Sequence, residues 1–295
     1  MSTIKWPAPA KLNLMLHITG RRDDGYHELQ TVFQFIDFSD ELEFVPRDDD
    51  QIIRHSEDFE ISQEEDIINR AARLLRDRFV QKNGSTKSFG VDIQLKKNIP
   101  MGAGLGGGSS DAATTLLALN HLWQMDFSVD ELAEMGLSLG ADVPVFVHGF
   151  AAFAEGVGEK LTPISPDEHW YLVVVPPVHV STKDIFSNPE LTRDCSAIKI
   201  CDLLPDEWRN VCTPVVVKNY PLVSQAIDII SEYSKAQMSG TGASVFASFE
   251  SEVQANEVLH KIRQNPAIES WTCFVARGLN RSPLHQILES QPGSK

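Results

Sequence analysis

The densest run of chemically suggestive residues is Pro100, Met101, Gly102, Ala103, Gly104, Leu105, Gly106, Gly107, Gly108, Ser109, Ser110 and Asp111, in which five of the seven residues from Gly102 to Gly108 are glycine. Without Cβ atoms, successive backbone N–H groups can approach an anion, and a helix beginning there adds about half a positive charge at its N-terminus. Such a loop reads as a phosphate cradle, with Ser109 and Ser110 supplying hydroxyls for a phosphate oxygen or a metal-bound water. A tight hinge is the plain structural alternative. Lys11 and Asn13 share one side of an alternating segment, and Asp142 follows Gly140 with no cation close to it in sequence. Phosphoryl transfer to an alcohol needs such groups, one to orient or deprotonate the hydroxyl and others to neutralise the γ-phosphoryl charge. Tyr26 and His27 end a polar turn, where aromatic rings are costly unless they meet something flat. A nucleobase stacked there would contribute about 1–3 kcal/mol. Read singly, Tyr26 is equally a lid over the core and His27 a surface histidine.

Competing phosphate-binding classes separate on context. No Gly-Lys-Ser/Thr triplet closes the loop, so it is not a Walker A motif. Gly102, Gly104 and Gly107 satisfy G-x-G-x-x-G, but the preceding strand alternates like a half-exposed antiparallel one, a proline intervenes, and a capped helix stands where a ribose-binding acid should end a second strand. V-A-I-K, H-R-D and D-F-G are absent, which removes the protein kinases.

The elements that must position these residues follow from periodicity. Ala10 to His17 puts Leu12, Leu14 and Leu16 on one side and Lys11, Asn13, Met15 and His17 on the other, as in a half-buried strand. The turn from Gly20 to His27 and an aromatic-rich segment from Val32 to Phe44 predict a hairpin or meander. Arg47 to Ser62 reads as an acidic loop and Asp66 to Phe79 as a helix. A strand from Gly90 to Leu95 leads into the glycine loop, and a helix from about Ser110 to Trp123 leaves it with an apolar stripe. A second helix opens at Ser128 through an S-x-x-E capping box and is expected to stop at Gly140. Asp142 then falls in a loop, because Pro144 disfavours helical geometry at Val143. A strand over 171–175 restarts the pattern, followed by a helix over 223–233, a turn over 239–243, a strand over 245–249 and a helix over 252–264. This predicts domains over 1–160 and 161–287 and a frayed tail over 288–295.

With 295 residues, 42% of them hydrophobic, the chain can bury substantial cores, and its length favours two domains. A formal net charge of −15 argues against nucleic-acid and anionic-membrane partners, which are held by dense Lys/Arg patches. No segment approaches the roughly 18 apolar residues of a membrane span, and the N-terminal residues lack a signal-peptide core. Cys195, Cys201, Cys212 and Cys273 form no C-x-x-C pair, the pattern of reduced thiols in a cytoplasmic protein. The sequence thus predicts small-molecule partners and leaves a homodimer open.

The stretch P-M-G-A-G-L-G-G-G-S-S over 100–110 resembles the second signature motif of the GHMP kinases, the family of galactokinase, homoserine kinase, mevalonate kinase and phosphomevalonate kinase. P-A-K-L-N-L over 9–14 is similar to the first motif and S-G-T-G-A over 239–243 to the third, in order and across nearly the whole chain. G-R-R-D-D-G-Y-H over 20–27 and G-A-D-V-P-V-F over 140–146 resemble the branch of that family that phosphorylates a cytidine diphosphate-linked polyol in non-mevalonate isoprenoid synthesis. The resemblance implies an α+β, two-domain GHMP kinase fold. Its N-terminal domain would be like the second domain of ribosomal protein S5, with an unusual left-handed crossover, and its C-terminal domain ferredoxin-like. It also implies transfer of the γ-phosphoryl of ATP, with Mg²⁺, to a hydroxyl of that polyol. Lys11 and Asp142 would be the catalytic residues, with Lys11 holding Asp142 charged, and Pro100 to Ser110 would bind the nucleotide. Asn13, Tyr26, His27, Thr182, Phe186, Gly240, Thr241 and Gly242 would surround the cytidyl substrate. The magnesium ligands stay unassigned, Glu155 included. A kinase of the same family acting on homoserine, a sugar or mevalonate remains an alternative. So does a non-catalytic nucleotide-binding relative, although that would have no chemical need for the Lys11 and Asp142 pair.

Overall fold

The computed structural model describes residues 4–55, 62–84 and 87–291. The middle of the expected acidic loop, 56–61, and the last four residues of the expected tail, 292–295, lie outside them. Two long antiparallel strands form the spine, β1 (Trp6–Arg21) and β2 (His27–Arg47), running from Trp6 opposite Leu42 to Arg21 opposite His27. The half-buried strand expected from alternation is instead buried on both sides from Ala8 to His17. The cause is tertiary: Trp6 and Ala8 enter the N-terminal core, Ala10, Leu12 and Leu14 a central one, and Leu16 and Ile18 the C-terminal core. Lys11 and Asn13 face the glycine loop instead of solvent.

Strand β3 (Ile52–His55) runs parallel to β4 (Gly90–Lys96) through helix α1 (Ile67–Asn83), and β4 pairs antiparallel with β2. Asp66 caps α1 by accepting from the backbone N–H groups of Ile68 and Asn69. Helix α2 (Gly107–Leu122) begins three residues before the expected Ser110, because Gly106, at φ 74°, supplies the left-handed residue from which the chain turns into the helix. The Ser128 and Glu131 capping box forms at α3 (Val129–Leu137), but that helix stops at Leu137 and Gly140 is not left-handed, so the expected Gly140 cap is corrected. Asp142 lies in a turn as expected, but that turn directly precedes a helix, α4 (Val143–His148), so the non-helical geometry expected at Val143 is corrected. Pro144 is tolerated in its first turn, where the missing N–H forfeits no helical hydrogen bond.

A hairpin of β5 (Ala152–Gly156) and β6 (Lys160–Pro163) lies along β2, so the first domain extends past the expected boundary at Lys160. The second half contains β7 (Trp170–Val175), α5 (Thr182–Ser187), α6 (Thr213–Asn219), α7 (Pro221–Ser231), β8 (Gln237–Met238), β9 (Val245–Phe249), α8 (Glu252–Ile262) and β10 (Thr272–Leu279). Its strands are antiparallel in the order β10-β7-β9-β8, the fourth-first-third-second arrangement of a ferredoxin-like unit. The end of β10 pairs with β2, Gly278 opposite Ile36 and Leu279 opposite Phe35, which joins both halves into one sheet. The last helix, α9 (Pro283–Ser290), contradicts the fraying expected from residue 288: Leu284, Ile287 and Leu288 pack into the N-terminal core.

Candidate active site

Lys11 reaches the site from β1 with a side chain only 3% exposed. A buried ammonium is costly unless its donors are satisfied. Here it donates to Asn13 Oδ1 (2.5 Å) and to the Gly104 carbonyl (3.0 Å), lies 3.3 Å from Asp142 Oδ2, and stands 5.5 Å from the centre of the Phe33 ring. The Gly104 carbonyl also accepts from Ser239 Oγ (2.9 Å), and Ser239 Oγ accepts from the backbone N–H of Asn13 (3.1 Å). The three signature segments therefore converge at one carbonyl. Gly104 can only be glycine there: its φ is 76°, and a Cβ would lie 2.3 Å from the Ser239 carbonyl oxygen. Asn13 is oriented by donating from Nδ2 to Thr31 Oγ1 (2.9 Å). Asp142 makes no capping hydrogen bond and is 35% exposed, so its carboxylate is open to a ligand.

Two cavities meet at this point. The larger, about 670 Å³, is walled by Lys11, Asn13, Tyr26, His27, Asp142, Thr182, Phe186, Gly240 and Thr241, among others. The smaller, about 450 Å³, follows the glycine loop from Pro100 to Ser109 and is completed by Arg54, Asp66, Lys97 and Asp111. Gly104, Gly106 and Ser109 line both. Two expected site residues do not reach a wall. Ser110 is one position further along α2, which rotates it about 100° onto the core side, where its hydroxyl is buried without a hydrogen-bond partner among the described residues. Gly242 backs onto Met238, Val180 and Val216. Glu155, left unassigned above, accepts from Gln30 Nε2 (3.0 Å).

In the larger cavity His27 stacks on Phe186, with ring centroids 5.1 Å apart and 28° between planes, while Tyr26 is 64% exposed beside them. Burial, with the nearby positive charges of Arg193 and Arg21, holds His27 below the usual histidine range and so neutral. Thr182 and Thr241 share a hydrogen bond of 2.9 Å between their hydroxyls, and Asn210 Nδ2 donates to the carbonyls of Met238 (2.8 Å) and Gly240 (2.6 Å). Arg193, Asn210 and Ser239 escape a reading of the sequence by roles. Only Ser239 carries a local signal, as the first residue of the third motif.

Beneath the glycine loop lies a buried charge cluster that the sequence also does not announce. Lys97 Nζ bridges Asp40 Oδ2 (2.5 Å) and Asp111 Oδ2 (2.7 Å), and Asp40 Oδ1 accepts from the backbone N–H groups of Asn98 (2.6 Å) and Ile99 (2.7 Å). The cluster thereby ties the approach to the loop onto β2. Burial pushes the Asp111 carboxyl up to about 7 despite its contact with Lys97.

A glycine loop at a helix N-terminus, a ferredoxin-like second half, and two cavities meeting at the loop are the build of a small-molecule kinase. The GHMP kinases N terminal domain matches residues 66–150 and the GHMP kinases C terminal domain residues 196–268. The chain is 53% identical over 290 residues to a Pseudomonas putida 4-diphosphocytidyl-2-C-methyl-D-erythritol kinase, covering 98% of each chain. It is 54% identical over 284 residues to the Shewanella denitrificans kinase of the same name, covering 96% of each. A solved 4-(cytidine 5'-diphospho)-2C-methyl-D-erythritol kinase superposes with a TM-score of 0.77 at 30% identity, over 93% of this chain and 99% of that one. A Methanococcus jannaschii mevalonate kinase shares the fold, with a TM-score of 0.67 at 17% identity over 95% of this chain and 99% of that one. The chain belongs to the GHMP kinase family. Among the described residues no three His, Cys, Asp or Glu side chains are grouped to hold a metal ion, and no helix is long and apolar enough to cross a membrane.

Proposed function

We propose that this kinase transfers the γ-phosphoryl group of ATP to the 2-hydroxyl of 4-diphosphocytidyl-2-C-methyl-D-erythritol, a step of non-mevalonate isoprenoid precursor synthesis. One observation carries the reading: the glycine-loop cavity and the larger cavity share a wall at Gly104, Gly106 and Ser109, with the Lys11 and Asp142 pair on the far side of that wall. ATP in the smaller cavity directs its terminal phosphoryl across the wall. The acceptor in the larger cavity offers its hydroxyl between Asp142, which orients it and takes its proton, and Lys11, which counters the charge of the transferred group. A loose transition state asks little base strength of Asp142 and much positioning of its neighbours.

The cytidyl assignment draws on the ring pair of His27 and Phe186 with Tyr26 beside it, flat surfaces suited to a pyrimidine, and on the names of relatives identical at more than half of the aligned positions. The donor set fits magnesium held chiefly by the nucleotide's own phosphates, since the Ser109 hydroxyl and the Asp142 carboxylate are hard oxygen donors beside the shared wall. When bound, the ion would neutralise charge on the phosphate oxygens. Four free cysteines support a cytoplasmic location.

A coupled ADP-release assay with ATP and Mg²⁺ tests the reading against four acceptors: the cytidyl substrate, homoserine, galactose and mevalonate. Turnover of the cytidyl substrate alone is expected. Turnover of another acceptor in its place would reassign the kinase within its family.

A further inference from the structure

Arg193 sits on the irregular stretch that follows α5, outside every signature motif, yet its guanidinium is unusually occupied. Nε donates to His27 Nε2 (3.1 Å), Nη1 to the Leu191 carbonyl (3.0 Å), and Nη2 to the carbonyls of Phe186 (3.0 Å) and Asn188 (2.6 Å). Four of its five N–H groups are therefore used. None of the ion pairs among the described residues includes it. One acceptor, Phe186, lies in the last turn of α5, two, Asn188 and Leu191, belong to the chain that leaves it, and the fourth, His27, is the first residue of β2. The fork thus fastens the end of α5, which carries Phe186, to the ring that Phe186 stacks on.

We propose that Arg193 is the positioning residue of the acceptor pocket, fixing the His27 and Phe186 rings against each other and fixing which nitrogen of His27 carries the proton. Because the Arg193 N–H points at Nε2, that nitrogen is the acceptor and the neutral ring is protonated at Nδ1. Among the described residues Nδ1 has no hydrogen-bond partner, and His27 lines the larger cavity, so the pocket receives a donor. A pyrimidine with acceptors at its carbonyl and at an unprotonated ring nitrogen suits such a donor, as cytosine does. A lysine would not replace this residue, because a point charge cannot present the fork that holds three carbonyls and a ring nitrogen at once.

This inference rests on the cytidyl reading for its ligand but not for its geometry, and the experiment separates the two. Long-range proton–nitrogen correlation spectra of the ¹⁵N-labelled, ligand-free protein at neutral pH report the His27 tautomer. Protonation at Nδ1 is expected in the wild type, and loss of that single tautomer in Arg193→Met and Arg193→Lys. In steady-state kinetics Arg193→Met is expected to raise KM for the cytidyl acceptor about tenfold, the cost of one lost positioning interaction, with kcat and KM for ATP unchanged. Wild-type His27 protonated at Nε2 overturns the proposal even if the variants fail to fold. An unchanged acceptor KM in Arg193→Met, or equal rises for acceptor and ATP, also overturns it. Absence of wild-type turnover with the cytidyl acceptor removes the substrate reading, and the tautomer still decides the role of Arg193.

Discussion

In the proposed reaction the hydroxyl to be phosphorylated would meet two side chains whose removal has different consequences. Asp142 is open to ligand and caps nothing, so Asp142→Asn keeps the local structure and removes only proton acceptance and charge. We expect kcat to fall by about 10²–10⁴-fold, with nucleotide affinity measured by calorimetry unchanged. A near-normal rate would remove Asp142 from its role. Lys11→Met, in contrast, leaves Asn13 Oδ1 without the Lys11 donor, costing about 1–3 kcal/mol if buried and unpaired, while the Gly104 carbonyl keeps the Ser239 hydroxyl, so the substitution should also lower the urea midpoint. The pairing of Lys11 with Asp142 was legible only through the resemblance of their motifs to a known family, since read singly Lys11 is a surface lysine and Asp142 a turn residue. What could not be read was the burial of Lys11, since strand alternation reports one covered side and here both are covered by segments distant in sequence.

At the scale of elements, α2 carries a buried acid in its second turn, and this sets a pH dependence. The Asp111 carboxyl, near 4 in an unfolded chain, is pushed up to about 7 by burial in the fold. The folded protein therefore binds more protons than the unfolded one between those values, and the contribution of Asp111 to stability falls as pH rises through that window. Urea midpoints at pH 5 and pH 8 should show the wild type losing more stability with rising pH than Asp111→Asn does. Equal pH dependence in the two proteins would mean that Asp111 is not held protonated. The capping signal at Ser128 was readable because it is local. The Asp40, Lys97 and Asp111 cluster was not, because its members lie on β2, after β4 and on α2, and only tertiary pairing brings them together. Helices α5 and α6 escaped for another reason: at 6 and 7 residues they are too short to show a period.

Across the whole molecule the two halves share one sheet, and the chain ends by returning to the domain in which it began. The division into two domains was readable from the restart of the strand pattern at Tyr171. The return of α9 was not, because residues 283–287 read as the end of the second domain and 288–290 as the start of a tail until the groove that receives them exists. Leu284 is 1% exposed in the N-terminal core. Leu284→Ala should therefore cost about 2–5 kcal/mol in urea unfolding. An unmoved midpoint would mean that α9 does not pack on that core.

The wall common to the two cavities has a further consequence, for inhibition. The two cavities open onto each other at Gly104, Gly106 and Ser109 of the glycine loop. A single compound that joins an adenosine-like half to a pyrimidine-like half across that junction would gain the effective concentration of a tethered pair. Its selectivity would come from the length of the tether, a dimension that neither cavity possesses by itself.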